Sequence, residues 1–248
     1  MAFKHLQAQN TGRTARTAQD DDLYDVGLRQ HMLGIYNCML AGLALSGMVA
    51  MVLVQTGLFT LFFNEPGQFT MLGWAAVLAP VGLLLAASVA GERLSVSAAH
   101  SLYWGIAALQ GVSFALLFQA YTGQSFAHIF FVTAAAFGAL SLYGYTTERA
   151  LSGMASFLIM GLIGVVIVSV VNLFIQSSML QIVGSAVGVL VFAGLTAYDT
   201  QRLKEEYVEG RQGDALAKAQ IWGALSLYLN FINLFQLLLS LFGRRDGE

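Results

Sequence analysis

Long apolar runs alternate with short polar breaks along this chain. After some thirty mostly polar residues the runs cover Met32–Phe62, Thr70–Ala90, Val96–Ala120, Ser125–Tyr145, Leu151–Ile175, Met179–Tyr198 and Ile221–Phe242. Each reaches the roughly twenty residues that cross about 30 Å of hydrocarbon at 1.5 Å per residue. None shows the alternation over about ten residues that marks a membrane β-strand. The pattern predicts an all-α integral membrane protein with seven transmembrane helices, the second kinked at Pro80.

Two stretches break the apolar rule. Tyr198-Asp199-Thr200-Gln201 ends the sixth run, and Leu227-Tyr228-Leu229-Asn230-Phe231-Ile232-Asn233-Leu234-Phe235 lies inside the seventh. A carboxylate at mid-membrane costs roughly 2.5–3.5 kcal/mol on insertion scales, so an acid here is a candidate for function. Ser226, Asn230, Asn233 and Ser240 recur at spacings of four, three and seven, which places them on one side of a helix, with Gln236 at the border. Such a face either hydrogen-bonds neighbouring helices, at about 0.6 kcal/mol each, or lines a wet cavity or ion path. Asp199 has two readings as well. Arg202 follows at i,i+3 and could hold it in an ion pair at the membrane edge; alternatively the carboxylate faces the seventh helix as a proton-sensitive gate or cation site.

Composition fits this picture and narrows it. The 248 residues are 57% hydrophobic and 10% charged, with mean hydropathy +0.67, against about 25% charged in average soluble domains. No basic block is present for nucleic acid. The single cysteine, Cys38, excludes disulfides and a cysteine metal cluster and reads as a packing residue. The loops after the first, third and fifth runs hold no Lys or Arg, whereas the N-terminal tail and the even loops hold Lys4, Arg13, Arg16, Arg29, Arg93, Arg149, Arg202, Lys204, Arg211 and Lys218. The positive-inside rule therefore puts the N-terminus in the cytoplasm. One discrepancy stands: a seventh full span carries Arg244 and Arg245 outside, unless the last segment re-enters and returns. The full span is the reading adopted, on length. Residues 1–22 form a polar tail without a signal-peptide core, expected to be disordered and cytoplasmic. Residues 23–243 form the membrane domain, and 244–248 a short C-terminal tail.

Other residues carry less. Arg93, after the second run, could latch Asp199 as a bidentate partner or anchor its helix in water beside Glu92, and the anchor is favoured. His100 and His128 lack partners at metal-ligand spacing. Gly184 with Gly188, and Gly42 with Ser46 and Ala50, form small-residue faces that let helices approach closely, and packing within the chain is favoured over a dimer interface. No His-Glu-x-x-His, Gly-x-Ser-x-Gly or phosphate loop occurs, so catalysis is not expected.

With these residues set out, the chain resembles the Bax inhibitor-1 family, the transmembrane Bax-inhibitor-motif proteins, and its bacterial branch in particular. Tyr198-Asp199-Thr200-Gln201 and the stretch Leu225–Phe235 carry the resemblance. Asp25-x-Gly27-Leu28-Arg29 and Tyr143-Gly144-Tyr145-Thr146-Thr147 support it, and it covers roughly Tyr24 to Gly243. The resemblance implies seven transmembrane helices with the last one central between two three-helix layers. It also implies a bacterial inner membrane location and a pH-sensitive calcium leak in which two aspartates pair and an arginine from the second helix latches them. Asp199 matches the first aspartate, and Arg93 matches the arginine only by position. Where the second aspartate belongs, this chain has Asn230. Two close carboxylates share a proton because both cannot ionise cheaply; an amide cannot titrate and adds no charge. Proton gating is therefore expected to be weakened. Calcium takes six to eight oxygens, several of them anionic, so Asp199 with the amides of Asn230 and Asn233 would hold it only weakly, which suits a permeant ion more than a bound cofactor. Ser226 and Asn233 are the pore-lining candidates. The competing reading is a non-conducting membrane regulator that binds other membrane proteins such as a protease, since bacterial members of the family are associated with membrane proteases.

Overall fold

The computed structural model describes residues 2–65, 68–90, 94–207 and 213–245, with side chains described for 26–62, 69–86, 94–207 and 213–245. Seven helices account for most of it: α1 (Ala2–Thr56), α2 (Met71–Ala90), α3 (Val96–Ala120), α4 (Gly123–Thr146), α5 (Ala155–Ile175), α6 (Ser178–Glu205) and α7 (Gly213–Phe242). A short antiparallel pair, β1 (Phe63–Glu65) and β2 (Gln68–Phe69), links α1 to α2. The expected division at residue 22 falls among residues whose side chains lie outside the described set.

Helices prevail because hydrocarbon offers the backbone no partners, so each N–H and C=O must bond within its own segment. The loops supply the start signals. Ser95, Thr122 and Ser177 stand at the N-caps of α3, α4 and α6, and their hydroxyls accept from Ala98 N, Ser125 N and Leu180 N at 3.2, 3.3 and 3.3 Å. Six helices are long and apolar enough to cross a membrane; the described apolar part of α2, Met71–Ala86, is shorter. The first span ends earlier than the apolar run suggests. Gly57 sits at φ 71°, a left-handed conformation that glycine adopts freely, and Leu58–Leu61 turns into a 3-10 helix instead of extending α1. Hydrophobicity continues through Phe62, but the helix does not.

The helices pack in a definite order. α3 lies against α1 and α2, α6 lies against α4 and α5, and α7 touches α1, α3, α4 and α6. α7 is a single helix without reversal. Its far end is tied to the α3–α4 connection: Thr122 N donates to Arg244 O at 3.1 Å, and Arg244 N donates to Ser125 Oγ at 2.9 Å. The start of α4 and the end of α7 therefore share one end of the bundle, while the C-terminal turns of α4 and α6 share the other. Tyr228, Phe235 and Leu239 of α7 are fully enclosed. Tyr228 exchanges a 2.7 Å hydrogen bond with Ser46 of α1, whose hydroxyl also lies 2.8 Å from Ala107 O of α3, joining three helices at one point.

The small-residue faces pack within the chain. A Cβ on Gly188 would press on Leu237 of α7, one on Gly184 on Val168 of α5, and one on Gly42 on Tyr103 of α3. Ser46 and Ala50 are fully buried.

Candidate functional site

Asp199 lies near the C-terminal end of α6, 7% exposed, between its own helix and α7. Three groups converge on the carboxylate. Ser226 Oγ donates to Oδ2 at 2.7 Å, Asn230 Nδ2 donates to the same oxygen at 2.8 Å, and Arg202 Nη2 stands 3.1 Å from Oδ1. Ser226 and Asn230 are one turn apart on α7, and Arg202 is nearly one turn beyond Asp199 on α6, so helical spacing alone brings all four together. The placements behind both sequence readings of Asp199 coexist: it is ion-paired along its own helix and it faces α7. Every partner is a donor, and the carboxylate accepts on both oxygens. Arg202 is 40% exposed at its side chain, with Glu206 Oε1 3.8 Å from its Nε on the outer side. The site is thus a buried acid at the mouth of the bundle with its countercharge at the rim.

The neighbours of Asp199 serve another helix. Thr200 Oγ1 donates to Thr196 O at 2.8 Å and lies 3.3 Å from Ser141 Oγ of α4. Gln201 accepts from Leu151 N at 2.7 Å and donates to Arg149 O at 2.9 Å, closing the turn after α4. Lys204 Nζ donates to Tyr145 O at 2.9 Å and stands over the Tyr145 ring, 5.2 Å from its centre. Gly144 permits this junction, because any side chain there would run into the backbone of Ala197. Within Tyr198-Asp199-Thr200-Gln201, then, Asp199 is committed to α7 and the next two residues to α4. The sequence pattern singled out the acid but not this division. A signal was present in Tyr143–Thr147, whose glycine and free carbonyls complement the α6 turn.

The polar face of α7 opens on a cavity of about 710 Å³. Asp199, Ser226 and Asn230 line one end, Asn233 and Gln236 the middle, and Ser240 the other end; Pro80 of α2, Gln110 of α3 and Ser169 of α5 face them. Both pore-lining candidates, Ser226 and Asn233, border this space. They differ in role: Ser226 binds Asp199, whereas Asn233 returns its amide to Leu229 O on its own helix at 2.7 Å. Asn230 presents its NH2 group to the carboxylate, so its oxygen and that of Asn233 do not join Asp199 in one ligand set. Among the described residues no three His, Cys, Asp or Glu side chains gather where they could hold a metal ion. Arg93, the sequence candidate for a latch, lies outside the described residues; the arginine on the carboxylate is Arg202.

At the far end of the cavity lies a polar cluster of which the sequence flagged only Ser240. Ser240 Oγ accepts from Gln181 Nε2 at 3.1 Å and from Ser185 Oγ at 3.3 Å. Gln181 and Ser185 are spaced i,i+4 on α6 facing the last member of the α7 stripe, so matching the polar faces of both helices would have found them.

Comparison with known proteins places the chain among bacterial membrane proteins. An uncharacterized protein of Caulobacter vibrioides is 46% identical over 225 residues, covering 88% of this chain and 90% of the relative. The inner membrane protein YbhL of Escherichia coli K12 is 41% identical over 222 residues, 88% and 93% of the two chains. An uncharacterized membrane protein of Streptococcus pyogenes serotype M3 is 38% identical over 227 residues, 90% and 96%. Residues 28–247 match the family described as inhibitor of apoptosis-promoting Bax1. That match takes in both late motifs, the ones the fold joins at Asp199, and this multi-pass membrane protein belongs to the Bax inhibitor-1 family.

Proposed function

We propose that the chain is a cation leak of a bacterial inner membrane, seven-spanning with its N-terminus in the cytoplasm, α7 as its axis and calcium as the permeant ion. The observation that carries this reading is the placement of Asp199: a buried acid bridging α6 and α7 at the end of a cavity that the polar stripe of α7 borders on one side. With the carboxylate ionised, two donors, Ser226 and Asn230, hold α6 to α7 while Arg202 pairs with it along α6, and in this scheme the mouth is shut. Protonation weakens the bonds from Ser226 and Asn230 by removing the charge that they serve, which loosens the joint, and it also ends the attraction to Arg202 along α6. Asn230 supplies a hydrogen bond but no second titrating group, so gating by protons is shallower than in a two-acid site. The same lack of a second charge leaves calcium weakly held, which favours passage over retention. The scheme assigns the protein no catalytic step.

Calcium flux into proteoliposomes across pH 5–8 tests the reading in three proteins. The wild type is expected to respond weakly to pH, Asp199→Asn to lose the response, and Asn230→Asp to respond more steeply near neutrality because two facing carboxylates share a proton. Three coinciding curves would end the titrating-gate idea. Absent flux in all three, together with co-purification of a membrane protease, would favour the non-conducting regulator.

A further inference from the structure

The cavity beside α7 has a neighbour. A second space of about 430 Å³ lies between α5 and α6 at the end away from Asp199, lined by Asn172, Gln176 and Gln181 among others. Ser169, Ser185 and Leu237 border both spaces. Gln181 borders only the smaller one and Ser240 only the larger, and these two side chains are joined by the 3.1 Å hydrogen bond described above. That bond therefore lies on the boundary between the two spaces, with the Ser185–Ser240 contact beside it. Ser185 stands fourteen residues before Asp199 on α6, and Ser240 fourteen after Ser226 on α7. At 1.5 Å per residue the boundary is about 21 Å from the acid.

We propose that Gln181, Ser185 and Ser240 form a second constriction, a neutral one, which separates the long cavity from an outer vestibule and is crossed by water or cations only when these α6–α7 hydrogen bonds are exchanged for solvent. The proposal rests on reading the long cavity as a permeation path. Three features favour opening by exchange over a permanent seal. The Ser185–Ser240 separation of 3.3 Å exceeds the usual 2.7–2.8 Å of a hydroxyl pair, so little is lost when water replaces it. Gln181 is exposed on the vestibule side and has solvent at hand as an alternative partner. Every member is an uncharged dipole, and amide and hydroxyl oxygens can stand in for part of a cation's hydration shell as carbonyl rings do in channel filters. The boundary bears no titratable group, so it does not sense pH itself. In the leak scheme the proton-responsive end of the compartment is the Asp199 end, and this boundary is the indifferent one.

Single-cysteine reporters in a Cys38→Ser background test this without reference to calcium. Gln176→Cys reports the vestibule and Gln236→Cys the long cavity one turn inside the boundary. A membrane-impermeant cationic methanethiosulfonate is applied to sealed vesicles on the side where Gln176→Cys reacts. With the cluster intact, Gln236→Cys should react roughly tenfold more slowly than Gln176→Cys, a ratio in keeping with hydrogen bonds of ordinary strength. Adding Gln181→Ala and Ser240→Ala should bring its rate up to that of Gln176→Cys, Gln181→Ala alone should give an intermediate rate, and Ser240→Thr, which keeps the hydroxyl, should leave it slow. Unchanged Gln176→Cys reactivity shows that each variant is folded. Equal rates with the cluster intact, or no acceleration in either alanine variant, overturn the constriction. The expected labelling in a protein that carries no calcium overturns the leak reading alone.

Discussion

α5 and α7 are both long, apolar and able to span a membrane, yet they sit in opposite surroundings. More than half of the spanning window of α7 is buried inside the protein, 56%, against 11% for α5. The more buried helix is the one that carries Ser226, Tyr228, Asn230 and Asn233, while α5 shows Phe157, Ile167 and Phe174 to the outside. In water the order would be reversed. Lipid tails are as apolar as leucine, so hydrophobicity gives no reason to place one of these helices inside. What decides the matter is the need of hydroxyl, phenol and amide groups for partners, together with small residues that let neighbours come near. α7 has both, and α5 presents the bilayer with side chains that lack nothing there.

This comparison can be broken at matched positions. The largest expected effect is at Gly223 of α7, where even a Cβ would lie 2.9 Å from both Ile35 and Leu203. Gly223→Leu should cost about 2 kcal/mol through overpacking, read as a lower unfolding temperature in detergent or a loss of monodisperse protein. A smaller effect is expected at Tyr228→Phe, which keeps the ring but removes its hydrogen bond to Ser46. A loss of about 1 kcal/mol is typical of an interhelical bond in a membrane protein, and chemical denaturation in mixed micelles would measure it. The smallest belongs to α5: Gly164 has open space where a Cβ would go, and Gly164→Leu should leave the unfolding temperature unchanged within error. If Gly164→Leu proved as damaging as Gly223→Leu, the outer face of α5 would have a partner and the contrast between the two helices would fail.

Much of the scaffold was legible because hydrocarbon makes a strict demand: a run such as Val96–Ala120 has no other way to satisfy its backbone. That Asp199 could face the polar side of α7 was legible as one of two readings of an acid ending an apolar run, while Asn230 as its particular partner came from the family resemblance. Arg202 was legible from its spacing, although the sequence alone posed its ion pair as an alternative to the α7 contact when the two coexist on different carboxylate oxygens. What stayed hidden depends on how helices are rotated. Thr200 and Gln201 differ from Asp199 by one and two steps of about 100° on the helix, and nothing in the sequence says that α4 waits on that side. Gln181 and Ser185 were hidden because a neutral polar residue near a helix end needs no explanation until its partner is known. Gly57 was hidden because the residues after it remain apolar; the turn is a matter of backbone sign, not of hydrophobicity.

The turn at the end of α6 acts as a mechanical joint. Gln201 and Lys204 fasten it to the carbonyls that follow and end α4, Thr200 meets Ser141, and Gly144 brings the two helices into backbone contact. Rotating α6 to carry its carboxylate away from α7 would break these ties together, whereas moving α4 and α6 as one piece would keep them and instead disturb what both helices make with α7: the Asp199 bonds to Ser226 and Asn230, the Ser240 cluster, and the packing of Phe130 and Phe137 on Phe231. The α4 side of this joint is thus tied at several points within one turn, so a displacement of Asp199 from α7 would carry α4 with α6 as a lever instead of turning one helix in place.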